Sequence, residues 1–168
     1  MNRVEPRDLL RDAFGRIEET FAQVAHGLDA EALNARVAPG ANPIAWLLWH
    51  LARIQDDHVA ELAGEPQAWE SWRERFSLPL DEHDTGYGHG EPEVGAVRID
   101  DAGLLTGYHA DVHALTLRYL DRVDAAELDR VVDTRWDPPV TAGVRLISVE
   151  GDCLQHLGQA AYLKGLLG

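Results

Sequence analysis

The chain has 168 residues, of which 45% are hydrophobic and 26% are charged, and its formal net charge is −14. This length and balance predict one globular domain over residues 1–168 with a single core. The negative charge repels nucleic-acid phosphates and anionic lipid head groups, so we expect neither nucleic acid nor a membrane surface as a partner. The single cysteine excludes an intramolecular disulfide and a cysteine-rich zinc module.

The apolar segments of the chain indicate its expected location in the cell. Residues 1–6 lack the apolar stretch of a signal peptide. No apolar run approaches the ~20 residues that a membrane-spanning helix needs. We therefore expect a cytoplasmic protein.

The first half of the chain predicts two long helices. Apolar residues recur at helical spacing over residues 6–27. A short helix opened by Asp29 follows. Asn42 is expected to cap the second long helix, with Pro43 at its first position and Gly64 at its end.

The second half predicts two more long helices and a long loop. A brief helix is expected over residues 65–76, and residues 78–100 are predicted to form a loop rich in Gly, Pro, His and Asp. Apolar spacing places the third long helix over residues 104–123 and the fourth over residues 142–166. Two consecutive prolines make residues 130–139 extended.

Four amphipathic helices and one long loop define the expected fold. They predict an all-α protein, an antiparallel four-helix bundle with the long loop between its second and third helices. Metal sites in such bundles are commonly built from facing helices. A loop longer than ~15 residues is usually functional or disordered. The tyrosine and histidine among residues 85–90 favour a function for this loop.

Three residues on two helices are candidate metal ligands. His50 lies in an apolar helical run and points into the predicted bundle. Asp152 and His156 are four residues apart, so they share one helix face. Contact between the two helices would bring all three together, and three protein ligands with an open position characterise catalytic metal sites. The alternatives are a core histidine at position 50 and an exposed polar stripe on the fourth helix.

Other histidines and the cysteine compete with this set. His109 and His113 are also four apart, and we interpret them as flanking the apolar face of the third helix. His58 lies ~12 Å from His50 along the helix axis, so it cannot share one metal ion with it. It can line the far end of the same cavity. Apolar neighbours make Cys153 a packed core thiol.

Two segments carry a resemblance to a known family. The string Asn-Pro-Ile-Ala-Trp-Leu-Leu-Trp-His-Leu-Ala-Arg at residues 42–53 and His-Leu-Gly-Gln at residues 156–159 resemble the DinB-like metalloprotein superfamily. The resemblance covers essentially the whole chain. It is nearer to the mycothiol-dependent branch, which holds mycothiol S-transferases and the mycothiol-dependent maleylpyruvate isomerase.

The sequence departs from the family's usual ligand pattern at one position. Many members hold their metal with three histidines, whereas Asp152 stands here in place of the first histidine of the His-x-x-x-His pair. The isomerase has a carboxylate at the matching place, which favours the thiol-using branch. Because the chain lacks the isomerase's additional C-terminal domain, we expect an S-transferase.

The resemblance implies a divalent metal held by His50, Asp152 and His156. Zn²⁺ is the first expectation, although this ligand set also accepts Ni²⁺, Mn²⁺ or Fe²⁺. The metal would lower the pKa of mycothiol or a similar thiol, and the thiolate would attack an electrophilic small molecule. Six further residues are expected nearby: Arg53 and Arg145 as contacts of the cosubstrate, Tyr87 and His89 in a loop closing over it, and Ser148 and Gln159 orienting ligands or water.

Two other classes of function stay open at this point. One is a related metal-dependent isomerase or hydrolase. The other is a non-catalytic metal-binding bundle protein. A homodimer is one expectation, and the sequence leaves the electrophile, the native metal and the thiol open.

Overall fold

A computed structural model describes residues 4–168, so residues 1–3 of the predicted domain and of the segment tested for a signal peptide lie outside the description. The described chain forms eight helices and one two-stranded antiparallel sheet. These elements are α1 (Pro6–Ala25), α2 (Ala30–Asn34), α3 (Ile44–Ala63), α4 (Trp69–Phe76), α5 (Glu91–Ala96), α6 (Ala102–Leu120), α7 (Ala125–Asp129), β1 (Val131–Asp133), β2 (Val140–Thr141) and α8 (Ala142–Leu167).

The four long helices α1, α3, α6 and α8 form the bundle, which confirms the all-α prediction. Helix α3 packs against α6 and α8, and α1 packs against the same two helices. Contacts of α3 with α8 join His50 to His156 and His58 to Arg145, so this pair is antiparallel. Contacts of α3 with α6 advance in the same direction along both helices, so this pair is parallel. The long connection from α3 to α6 makes that direction possible, because it carries the chain back along the bundle.

Helix boundaries follow local signals closely. Helix α3 begins at Ile44, one residue after the predicted start, and Pro43 is its N-cap. It ends at Gly64, whose φ of 66° is a left-handed conformation that glycine adopts without strain. Helix α8 begins after Thr141, whose side chain accepts a hydrogen bond from the Val144 amide. Within residues 4–168, no helix is both long enough and apolar enough to cross a membrane.

Two short helices correct the sequence prediction. Helix α5 lies inside residues 78–100, which were predicted to be a loop throughout. The Glu93 side chain accepts from the Gly90 amide and stabilises its first turn. Helix α7 was not predicted, and the Asp124 side chain caps it by accepting from the Glu127 amide. Both helices are too short to show apolar periodicity, and a side-chain hydrogen bond at the N-terminus stabilises each of them instead.

The prediction that His109 flanks the core is wrong. Its side chain is buried and stacks on Phe21, with ring centroids 4.1 Å apart. Its Nε2 lies 3.2 Å from Gln55 Oε1, to which it donates a hydrogen bond. Burial lowers the pKa of His109 to about 3, with His113 adding to the shift. His109 is therefore a neutral core residue rather than a metal ligand.

Candidate metal centre

The antiparallel contact of α3 with α8 brings His50, Asp152 and His156 together. One ligand atom from each residue lies within 4.8 Å of the others, and this is the group in residues 4–168 that could hold a metal ion. His156 Nε2 is 3.6 Å from Asp152 Oδ1. Two atoms bound to one zinc ion at ~2.1 Å lie at most ~4.2 Å apart, so small side-chain shifts would complete the coordination.

The His50 ring is held by the protein in one orientation. Its Nδ1 donates to the Thr85 carbonyl oxygen at 2.6 Å. The ring also stacks on Trp46, with centroids 4.6 Å apart. Burial lowers the pKa of His50, which favours the neutral ring that metals bind. These contacts leave Nε2 directed at the other two ligands.

Asp152 and His156 form an interacting pair on α8. Contact with Asp152 raises the pKa of His156. Burial by itself raises the pKa of Asp152, but His156, His50 and His58 together bring that pKa below its usual value. His156 Nδ1 donates to Gln159 Oε1 at 3.0 Å, so Gln159 lies where a residue that orients the ligand was predicted. Asp152 Oδ2 is buried and has no hydrogen-bond partner within residues 4–168. A buried carboxylate oxygen without a partner is costly, and a bound cation would satisfy it.

Residues 84–89 form a loop that covers His50. Gly86 has a φ of 86°, and a Cβ atom there would lie 2.8 Å from His50 Nδ1. The Asp84 carboxylate accepts from the Gly86 amide at 2.8 Å and from His89 Nε2 at 2.9 Å. His89 Nδ1 accepts from Trp46 Nε1 at 3.2 Å. The close approach of the loop to His50 therefore requires a glycine at position 86.

His89 and Arg53 do not take the positions predicted for substrate contacts. The side chain of His89 is 6% exposed, and both of its nitrogens are engaged within the loop and α3. Arg53 is fully buried and donates to the Asp84 carbonyl, Gln67 and the Tyr108 hydroxyl. Arg53 cannot reach a cosubstrate, which corrects that prediction. It lies on the side of α3 that faces α4 and α6, and it supports the loop over His50.

A cavity of about 580 Å³ lies next to the loop that orients His50, although none of the three candidate ligands is part of its wall. Thr85, whose carbonyl holds His50, is part of its wall, and Ser148 lies one helical turn before Asp152. The wall includes the predicted residues Tyr87, Arg145 and Ser148 together with Ile54, His58 and Trp136. The predicted contacts of Tyr87, Arg145 and Ser148 with substrate or ligands stay predictions.

Several residues of the site were not predicted from sequence. Trp46 precedes His50 by four residues, and helical spacing alone could have identified it. Thr85 contributes a backbone carbonyl, for which no side-chain signal exists. Asp133 and Trp136 follow α7 and reach the cavity only because the sheet returns the chain to α8.

Comparison with known proteins places the chain in a family. Residues 13–160 match the model of the DinB superfamily. The chain belongs to the DinB superfamily. The crystal structure of a conserved protein of Enterococcus faecalis is similar, with 33% sequence identity over 96% of each chain and a TM-score of 0.86. A search of curated proteins found no match.

Membership of the DinB superfamily agrees with the donor set at the α3–α8 contact. Two imidazole Nε2 atoms and a carboxylate suit a divalent metal of the zinc type. The buried, unpartnered Asp152 Oδ2 is the observation that fits a cation there. His50, Asp152 and His156 can therefore bind a divalent metal.

Gly86→Ala should weaken metal binding. The added Cβ would meet His50 Nδ1 and Trp49, so the loop must move and His50 loses its hydrogen bond to Thr85. Loss of such an orienting partner typically lowers metal affinity by ~10–100-fold. Competition with a chromophoric chelator measures this affinity.

Gly88→Ala is the matched control. Its φ of 77° carries the same backbone strain, but a Cβ there meets no atom within 4 Å. It should keep the affinity of the unmodified protein. If Gly86→Ala bound the metal as tightly as Gly88→Ala and the unmodified protein do, the loop would not be what orients His50.

Proposed function

We propose that this protein is a divalent-metal-dependent thiol S-transferase that conjugates mycothiol, or a similar low-molecular-weight thiol, to electrophilic small molecules. The observation that carries the proposal is a three-ligand group near a cavity of about 580 Å³ whose wall includes Thr85, the residue that orients His50. Three protein ligands leave room for a further ligand, and the cavity gives a small molecule access to it. A structural site would instead be closed by a fourth protein ligand.

The protein's own thiol is unsuited to the chemistry. Cys153 is fully buried, and burial raises its pKa well above the ordinary range, with Asp152 adding to the shift. A thiol that remains protonated and inaccessible is a poor nucleophile. The nucleophilic sulfur is therefore supplied by a diffusible cosubstrate.

The residues of the site have separate tasks in this proposal. His50, Asp152 and His156 would hold the metal, while Thr85 and Gln159 keep the two rings oriented. A bound metal would lower the pKa of a thiol that coordinates it, so that the thiolate would exist at neutral pH. Zn²⁺ is our first choice, and Ni²⁺, Mn²⁺ or Fe²⁺ suit the same donors. Stacked Trp46 shields His50 from water on its other face.

The other parts of the proposal concern partners and location. The small-molecule thiol and electrophile are the proposed partners, and the net charge of −14 disfavours nucleic acid and anionic membranes. The homodimer and the cytoplasmic location stay predictions. A hydrolase or isomerase of the same superfamily, or a non-catalytic metal protein, is the outcome if no thiol binds the metal.

Cobalt substitution tests whether a thiol coordinates the metal. Adding mycothiol to the Co²⁺ protein should produce an intense sulfur-to-cobalt charge-transfer band in the near ultraviolet. The band should require His50, Asp152 and His156, and Cys153→Ser should retain both the band and turnover with monochlorobimane. A band before any thiol is added would make Cys153 a ligand. Turnover without a band would favour chemistry at metal-bound water.

A further inference from the structure

We infer that Asp84 is a positioning residue of the metal centre, whose carboxylate fixes the His50 ring both at its edge and on its face. Asp84 lies outside the group of three candidate ligands and acts on one of them through the loop of residues 84–89. Because it acts through His50, this role rests on the metal binding that the proposed function requires, and it holds whether or not a thiol is transferred. It extends that function by naming a residue that sets how strongly His50 holds the metal.

One peptide group connects the Asp84 carboxylate to the His50 ring. Asp84 Oδ1 accepts a hydrogen bond from the Gly86 amide at 2.8 Å, and the Thr85 carbonyl oxygen accepts one from His50 Nδ1 at 2.6 Å. That amide and that carbonyl belong to the same planar peptide group, so the carboxylate fixes the direction in which the carbonyl points. A negative charge at the N–H end also makes the carbonyl oxygen a stronger acceptor, because hydrogen bonds in a chain polarise one another.

This chain of hydrogen bonds suits His50 to bind a metal strongly. Histidines that bind metals commonly donate their other ring N–H to a carboxylate or a carbonyl, which fixes the ring and makes the ligating nitrogen more basic. In His50 the Nδ1–H group faces the Thr85 carbonyl, and Nε2 is left for the metal. Asp84 therefore acts on His50 as the carboxylate of a carboxylate–histidine–metal arrangement does, with one peptide group between the two side chains.

The same carboxylate also supports the ring that covers the face of His50. His89 Nε2 donates to Asp84 Oδ1 at 2.9 Å, which leaves His89 Nδ1 to accept from Trp46 Nε1 at 3.2 Å. Trp46 stacks on His50, with ring centroids 4.6 Å apart and an angle of 13° between the ring planes. Through these two rings, Asp84 reaches the face of His50 as well as its edge.

The main chain of Asp84 is attached to the helix that carries His50. Its carbonyl oxygen accepts a hydrogen bond from Arg53 Nε at 3.1 Å, and Arg53 follows His50 by three residues on α3. Arg53 Nη1 lies 3.6 Å from Asp56 Oδ2, and both side chains are fully buried. Separating this pair would leave a buried charge without compensation, so the guanidinium group is held in place. The loop is therefore attached to α3 about one helical turn from His50.

A second aspartate of the same connection forms the same local turn away from the metal centre. Asp81 Oδ1 accepts from the amide two residues later, that of His83, at 2.9 Å, as Asp84 does from Gly86. Within residues 4–168, the Asp81 side chain makes this hydrogen bond alone, and it is outside the group that could hold a metal. Truncating Asp81 therefore removes a turn and a charge, whereas truncating Asp84 removes both of these and also releases His50.

The role of Asp84 is tested by the Zn²⁺ affinity of three variants of the full chain, measured by competition with a chromophoric chelator. Asp84→Ala should lower the affinity by ~10–100-fold, the loss typical of an orienting partner. Asp84→Asn keeps an oxygen that can accept both hydrogen bonds but removes the charge, so its affinity should lie between those of Asp84→Ala and the unmodified protein. Asp81→Ala is the matched control and should keep the unmodified affinity. Equal affinities of Asp84→Ala and Asp81→Ala would overturn the role of Asp84.

A proton resonance separates the positioning of His50 from a general loss of stability. In the Zn²⁺-loaded protein, the Nδ1 proton of His50 should give a slowly exchanging downfield signal, because the Thr85 carbonyl holds it. That signal should disappear in Asp84→Ala and remain in Asp81→Ala, and its persistence in Asp84→Ala would overturn the inference. If no thiol is transferred, the proposed function fails, while the loss of affinity and of this signal in Asp84→Ala would still establish the role of Asp84. If thiol is transferred and Asp84→Ala binds Zn²⁺ as the unmodified protein does, the function stands and this role fails.

Discussion

His156→Ala is expected to lose most of the bound metal and to keep its helices. The substitution removes one of three candidate ligands, and it leaves Asp152 without the imidazole 3.6 Å away. The loss of affinity should exceed the ~10–100-fold that an orienting partner costs. His156 is only half-buried on α8, so truncation should leave the bundle folded. Metal analysis of the purified protein and circular dichroism measure the two effects.

Two further variants complete this experiment. Asp152→Ala should lose metal in the same way, because its carboxylate is the only charged donor of the group. His113→Ala is the control: it removes a half-buried histidine of α6 that lies outside the group. Full metal occupancy in His156→Ala would remove His156 from the site. Equal losses in His113→Ala would place the metal elsewhere.

Acid should destabilise the protein through His109. Its pKa is lowered from 6.5 to about 3 by burial, so the unfolded chain takes up a proton that the folded protein excludes. This contribution to stability is therefore complete above pH 6.5 and is lost as the pH falls from 6.5 towards 3. Each pKa unit is worth ~1.4 kcal/mol, so the full loss is ~5 kcal/mol. Because native proteins are stable by only ~5–15 kcal/mol, this single residue can decide acid unfolding.

His109→Phe should flatten the pH dependence of the free energy of unfolding between pH 4 and 6.5. Phenylalanine keeps a ring against Phe21, and Gln55 still donates to Thr116 at 2.9 Å. Urea unfolding at several pH values measures the slope. His83→Phe is the control, because His83 has an 84% exposed side chain and should leave the slope unchanged. An unchanged slope in His109→Phe would show that His109 is not the group that acid protonates.

Much of the fold was predictable because its signals are local. The apolar spacing and caps of the four long helices depend on residues within a few positions of one another. Gly64 and Thr141 therefore mark the end of α3 and the start of α8 as predicted. The same logic fails for α5 and α7, since helices of six and five residues are too short to show a periodic face.

The candidate site was predictable in part for the same reason. Spacing of four residues alone puts Asp152 and His156 on one face of a helix. The choice of His50 as their partner came from its place in an apolar helical run; the resemblance to DinB proteins strengthened it, and the α3–α8 contact supports it. Spacing alone cannot make this choice, because Asp152 with His156 and His109 with His113 satisfy the same four-residue rule.

The sequence by itself determined the four long helices, the pairing of Asp152 with His156 and the excess of acidic residues, because each depends on neighbouring residues or on composition. Only the tertiary structure decided which way the buried side chains face. Arg53 follows His50 by three residues, yet packing against α4 and α6 encloses it while His50 faces α8. Likewise, Thr85 and Trp136 reach the site from distant segments of the chain. Such contacts depend on how whole helices and loops pack, and residue spacing along the chain carries no information about that packing.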